Sequence, residues 1–181
     1  MRIACLLDSM FEDSEYATPA EAFRSAGHQV DVISIEANKE LSGYRGQTRV
    51  RSDRSIDEAS PNDYDALFIP GGYSPDHLRI NPRMVGFTRE MMRSRKPVFA
   101  LCHGPQLLIT AEVVGGRRMT AWPTIQADLQ KVGADAVDQE VVVDDNLVTS
   151  RKPDDIPAFI RESLRALEGV TAGAGGSRPV R

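Results

Sequence analysis

Residues 96 to 109 read KPVFALCHGPQLLI, so a thiol, Cys102, and an imidazole, His103, sit side by side between an apolar run and a helix-like run. A cysteine attacks as its thiolate, and a neighbouring imidazole can take and return the proton. The segment Ala100-Leu101-Cys102-His103-Gly104 follows the small-x-nucleophile-x-Gly pattern of a nucleophile elbow, with Ala in place of the first Gly. In such an elbow a sharp turn lifts the reactive atom above a sheet, and small flanking residues let strand and helix approach. The N-terminus of the following helix is expected to lower the thiol's pKa through its free N–H groups and positive end. The competing reading is a small core cysteine with an incidental histidine beside it.

Two further stretches bear on that choice. PGGYSPDHLR (70–79) follows another apolar run, and its paired Gly71 and Gly72 can expose backbone N–H groups to a developing oxyanion. A plain tight turn would use the same residues. FEDSEYATP (11–19) places Glu12 and Glu15 after the first apolar run, where they serve either a site or the first turn of a helix. Three polar turns converging on one sheet edge, one of them carrying Cys-His, favour a site. Cys5, inside IACLL, reads as a small buried hydrophobe. The three histidines, His28, His77 and His103, lack ligand spacing, so no metal is expected, and His28 and His77 are assigned to the surface. Neither a G-x-G-x-x-G turn nor a Walker loop is present, and no cofactor is expected.

The elements that must position these residues are those of an α/β fold. IACLL (3–7), ALFIP (66–70) and PVFALC (97–102) are continuous apolar runs, the mark of strands buried on both faces. QVDVISI (29–35) reads as a fourth strand. A helix is expected over 14–26, closed by Gly27, which takes the left-handed conformation cheaply. Further helices are read over 82–95, opened by Pro82, over 104–114, over 123–132 and over 153–167. EVVVDDNLVTS (140–150) reads as a hairpin turning at Asp-Asn, and 38–63 as loops with short strands. The expected architecture is one flavodoxin-like domain over 1–168, a mostly parallel sheet between helices, with its site at the carboxyl ends of the strands. Residues 169–181, Gly/Ala-rich, are expected to form a loose tail.

Composition bounds the partners. The 181 residues suffice for one core, and a net charge of −4 without a basic stripe argues against nucleic acid. Two cysteines make no disulfide framework, and no apolar stretch is long enough for a membrane span, so a cytoplasmic location is expected.

The segments FEDSE, FIPGGYSPDHLR, KPVFALCHGPQLLITAEVVGGRR and SRKPDDI, in that order over residues 1–168, closely resemble the PfpI family of intracellular cysteine peptidases. That family belongs to the class I glutamine amidotransferase-like superfamily, which includes deglycases and bacterial stress proteins. The resemblance implies Cys102 as nucleophile and His103 as its imidazole. It also implies Glu15 as a buried carboxylic acid bonded to the sulfur with Glu12 beside it, and Gly71 and Gly72 as the oxyanion turn. In the peptidases a glutamate from a neighbouring subunit completes the triad; this chain has the shorter Asp76 there. Trp122 stands where such proteins often carry a rim tyrosine. A homo-oligomer, at least a dimer, is implied. The resemblance implies a cysteine-dependent stress-response protein that hydrolyses peptides; the alternatives are addition of the thiolate to small aldehydes such as methylglyoxal or their protein adducts, and a non-catalytic oxidative-stress sensor or chaperone with an exposed, low-pKa Cys102.

Overall fold

Alternation along the first strand sets the layers. In the computed structural model, which describes residues 1–174, β1 (Arg2–Leu6) sends Ile3 and Cys5 to one face of the sheet and Ala4 and Leu6 to the other. Every one of these four is fully buried, as a strand covered on both sides requires. The chain then runs α1 (Asp13–Ser25), β2 (Gln29–Ser34), β3 (Glu40–Ser42), β4 (Arg49–Arg51), β5 (Arg54–Ser55) and β6 (Ala66–Ile69). It continues through α2 (Ser74–Leu78), α3 (Pro82–Arg93), β7 (Val98–Leu101), α4 (Pro105–Thr110), β8 (Arg118–Met119) and α5 (Pro123–Lys131). β9 (Asp135–Ala136), β10 (Val141–Asp144), β11 (Leu147–Ser150) and α6 (Ile156–Ala174) complete it.

The seven-stranded sheet has the order β10-β11-β7-β6-β1-β2-β5, parallel except for β10 at its edge. One face packs on α3, α4 and α5 through Met84, Met91, Leu107, Leu108, Ile125 and Leu129. The other packs on α1 and α6, where Phe23, Phe68, Phe99 and Phe159 form a ring-to-ring chain at centroid distances of 5.5 to 6.1 Å. From β1 the chain steps to β2 on one side, and later to β6 on the other. The carboxyl ends of β1 and β6 therefore flank the switch point, the place where doubly wound sheets bind ligands. The single α/β flavodoxin-like domain read from the sequence is the fold observed.

Three local differences have physical causes. The strand read over 97–102 ends at Leu101, because Cys102 adopts φ +60 and leaves the ladder. The helix expected over 104–114 is confined to α4, since Glu112 at φ +58 and a Gly-Gly pair turn the chain away. The last helix, expected to stop near Leu167, continues to Ala174, so 169–174 is helical rather than loose. The expectation for 175–181 lies outside the described residues. No helix among the described residues is long and apolar enough to cross a membrane.

Candidate active site

The elbow is built by the end of β7. The Cys102 N–H donates to the Ser150 carbonyl on the neighbouring strand at 3.0 Å, and the Cys102 carbonyl accepts from Trp122 N–H at 2.9 Å. Held from both sides, Cys102 keeps a left-handed φ that costs a non-glycine residue of order 1 kcal/mol. Gly104 is needed two residues on, because a Cβ there would lie 2.5 Å from the Ile69 carbonyl oxygen.

The carboxyl end of β1 and the PGG turn after β6 are stapled together against this elbow. Phe11 bridges to Gly72, Glu12 N–H donates to Gly71 O at 3.2 Å, and Tyr73 N–H to Met10 O at 2.8 Å. The turn needs Gly72 at φ +78. At Gly71 the requirement is space: a Cβ would meet Glu15 Oε1 at 2.5 Å and Cys102 Cβ at 2.8 Å. Those two numbers also locate Glu15: its carboxyl reaches the same spot as the cysteine side chain.

Glu12 and Glu15 divide the two roles read for them. Glu12 caps α1, accepting the Glu15 N–H at 3.0 Å and the Ser14 hydroxyl, which is the helix-acid role. Glu15 is fully buried, and its carboxyl makes no hydrogen bond of ordinary geometry among the described residues, with only the Cys102 side chain and the Gly71 N–H acting on it as weak donors. Burial, with the Glu12 charge adding to it, pushes its pKa up to about 8; the Cys102 side chain and Gly71 N–H offset part of the rise. Glu15 is therefore a carboxylic acid at neutral pH.

The thiol is not the exposed, acidified group expected from the sequence. Cys102 is buried; burial and then the Glu15 charge push its pKa up, while the Gly72 and His103 N–H groups facing the sulfur oppose them. A six-residue helix offers too little dipole to outweigh that burial. His103 Nδ1 lies 3.3 Å from Cys102 Sγ, and the ring stacks on Trp122 at 6.0 Å with 23° between planes. Burial lowers the His103 pKa, and the charge of Asp76 works against that shift, so the imidazole is neutral at pH 7 and able to accept the thiol proton.

Asp76 does not join this group within one protomer. It is 63% exposed and faces Arg79 at 3.7 Å, and among the described residues it makes no hydrogen bond to His103. His77 is exposed, as read, but His28 is half-buried, with Nδ1 3.3 Å from the N-terminal amine. Cys5 is fully buried and unpaired. No cluster of metal-ligating side chains exists among the described residues.

The thiol opens into a cavity of about 440 Å³, a size suited to a small molecule. Glu12, Gly72, Cys102, His103 and Trp122 line it, joined by Tyr44, Arg45, Tyr73 and Pro153, which the sequence reading passed over. Tyr44 and Arg45 come from the polar stretch read as a connecting loop. Two turns brought together from distant parts of a chain leave no spacing to read. The His103 N–H was the one legible omission, since an elbow normally turns the amide after its nucleophile toward the oxyanion.

Residues 1–166 match the DJ-1/PfpI family. The chain is 55% identical over 167 residues to protein/nucleic acid deglycase 2 of Escherichia coli (strain K12), covering 92% of this chain and 97% of that protein. General stress protein 18 of Bacillus subtilis (strain 168) is 55% identical over 168 residues, covering 92% and 98% of the two chains. Among solved structures, a two-domain Anabaena variabilis protein containing DJ-1/ThiJ/PfpI-like and ferritin-like domains aligns with a TM-score of 0.90 at 37% identity. That alignment covers 99% of this chain and 50% of the other. With the family matched over nearly the whole chain and two relatives above half identity, the chain belongs to the DJ-1/PfpI family.

Proposed function

We propose that this protein is a cysteine-dependent enzyme of stress response that acts on small 2-oxoaldehydes such as methylglyoxal, or on the adducts they form on macromolecules. The observation that carries this reading is Glu15, a fully buried carboxylic acid set against the thiol with no charged partner among the described residues. A proton carrier there suits an isomerisation; a peptidase needs instead an orienting carboxylate on the imidazole. Similarity to a protein named a deglycase supports the same substrate class.

The chemistry runs through this chain's own residues. His103 takes the thiol proton as Sγ attacks the aldehyde carbon, forming the S–C bond, and Glu15 gives its proton to the carbonyl oxygen. The N–H groups of Gly72 and His103 stabilise the charge developing on that oxygen. Glu15, now a carboxylate, removes the hydrogen from the former aldehyde carbon and returns it to the adjacent carbon, while the proton of the new hydroxyl passes to the adjacent oxygen, leaving a thioester of the 2-hydroxy acid. Water cleaves the thioester to release the acid. The water's hydroxide joins the acyl carbon and its remaining proton restores Glu15, while the departing thiolate recovers its proton from His103. The sum is methylglyoxal plus water giving lactic acid. A reactive thiol without a disulfide partner suits the reducing cytoplasm.

Asp76→Asn separates this reading from peptide hydrolysis by a triad. With aldehyde chemistry, lactate formation stays within about twofold of wild type, because the exposed Asp76 makes no hydrogen bond to His103 and its charge reaches the ring only through solvent screening. A peptidase would use Asp76 of one subunit to orient His103 of another. Cleavage of a fluorogenic peptide that falls by about 10²-fold or more in Asp76→Asn would establish that alternative.

A further inference from the structure

Arg45 is the one cation among the described residues lining the thiol cavity. Its position is built from three sides. Backbone N–H groups of Arg45, Gln47 and Thr48 donate to the buried Asp13 carboxylate at 3.0, 2.9 and 2.7 Å, anchoring the loop to the first turn of α1. Burial alone would raise the Asp13 pKa, but these bonds outweigh it and hold the group ionised. The side chain is fixed at Nε, which donates to Glu12 Oε1 at 3.1 Å, and its guanidinium lies over the Tyr44 ring, 5.3 Å from the centroid. Tyr44 in turn packs edge-on against Tyr73 at 6.2 Å. Glu12 is already engaged by the Glu15 N–H and the Ser14 hydroxyl.

Only the Nε–H of Arg45 is committed to a carboxylate, so the two terminal NH2 groups retain a fork that matches the paired oxygens of a second anion. A surface arginine needs none of this scaffolding, and a neutral aldehyde makes no use of it. From these contacts we infer that Arg45 is a specificity residue, selecting carbonyl substrates that carry a carboxylate or phosphate and orienting them toward Cys102. The inference deepens the aldehyde reading and rests on it for the identity of the reaction.

Iodoacetate and iodoacetamide test this directly, because both alkylate the same thiolate. In each case Sγ forms a bond to the methylene carbon, iodide leaves, and the reagents differ only in carboxylate against amide. The ratio of their rate constants at Cys102, followed by intact mass, therefore cancels any change in thiolate population. In Arg45→Gln the iodoacetate-to-iodoacetamide ratio is expected to fall about fivefold, the worth of one half-exposed charge pair. Arg45→Lys, which keeps a cation beside Glu12, retains part of the preference. In wild type, inorganic phosphate at constant ionic strength slows iodoacetate more than iodoacetamide, a test that needs no variant. An unchanged ratio in Arg45→Gln, or equal slowing by phosphate, overturns the inference. Lactate formation from neutral methylglyoxal by wild type is scored separately. Should that fail while the ratio still falls, the anion site stands and the aldehyde reading does not; the reverse result removes Arg45 alone.

Discussion

Glu15→Gln is expected to stabilise the protein at pH 8 while removing its activity. The sign follows from the carboxyl's raised pKa, about 8 in the folded chain against an ordinary 4.5. Below pH 4.5 the group is protonated in both folded and unfolded chains, so its ionisation has no effect on stability. Between pH 4.5 and 8 the unfolded chain ionises and the folded chain does not, so stability drains away as pH rises and the loss is complete above the folded pKa. A shift of that size corresponds to at most about 5 kcal/mol, at about 1.4 kcal/mol per pH unit. Glutamine stays neutral throughout. The variant should melt near the wild-type temperature at pH 4.5 and about 10 °C above it at pH 8, at roughly 2–4 °C per kcal/mol for a chain of this size. Lactate formation should drop by about 10² to 10⁴, the usual worth of a positioned proton carrier. A stability difference that does not change with pH would contradict the assignment of a neutral acid at Glu15. The buried carboxyl is thus a cost to the fold above pH 4.5, as expected of a group held for chemistry rather than for stability.

Gly71→Ala should be nearly as damaging for a steric reason. The new methyl would press on Glu15 Oε1 and Cys102 Cβ, and it would lie 2.9 Å from the Leu101 carbonyl, a backbone atom that cannot rotate away. The turn must move, carrying the Gly72 N–H off the sulfur. Overpacking of this kind costs about 1–3 kcal/mol, and an ångström of displacement at a reacting centre costs about 10²-fold in rate. Gly86→Ala in α3 is the control: a Cβ there meets nothing within 4 Å, and alanine favours a helix by about 0.5–1 kcal/mol. A Gly71→Ala protein with wild-type turnover would show that the turn does not hold the site.

What was legible in the sequence is what burial and local turn chemistry dictate. IACLL, ALFIP and VFALC read as two-sided strands because every position in them is covered, and the structure buries each one. Gly27 after α1, at φ +89, and the Asp145-Asn146 turn between β10 and β11 were equally plain, since each is decided within a few residues. Elements of two to five residues, such as α2, β8 and β9, were not read, because so short a segment has no period. The elbow, the PGG turn and the acidic turn were found because strand ends in a doubly wound sheet converge. Two things were not: the balance of burial against dipole at Cys102, and the arrival of Arg45 in the cavity. Both depend on atoms contributed from far along the chain, Glu15 and Gly72 for the thiol and Asp13 and Glu12 for the arginine.

The measurement that bears most directly on the central claim is lactate production from methylglyoxal by wild type and by Cys102→Ser, each assayed without added thiol. The account predicts lactate from wild type and a loss of about 10³-fold or more in the variant, the effect of removing a nucleophile through which every step passes. Lactate formed equally by both proteins, or by neither, would contradict it.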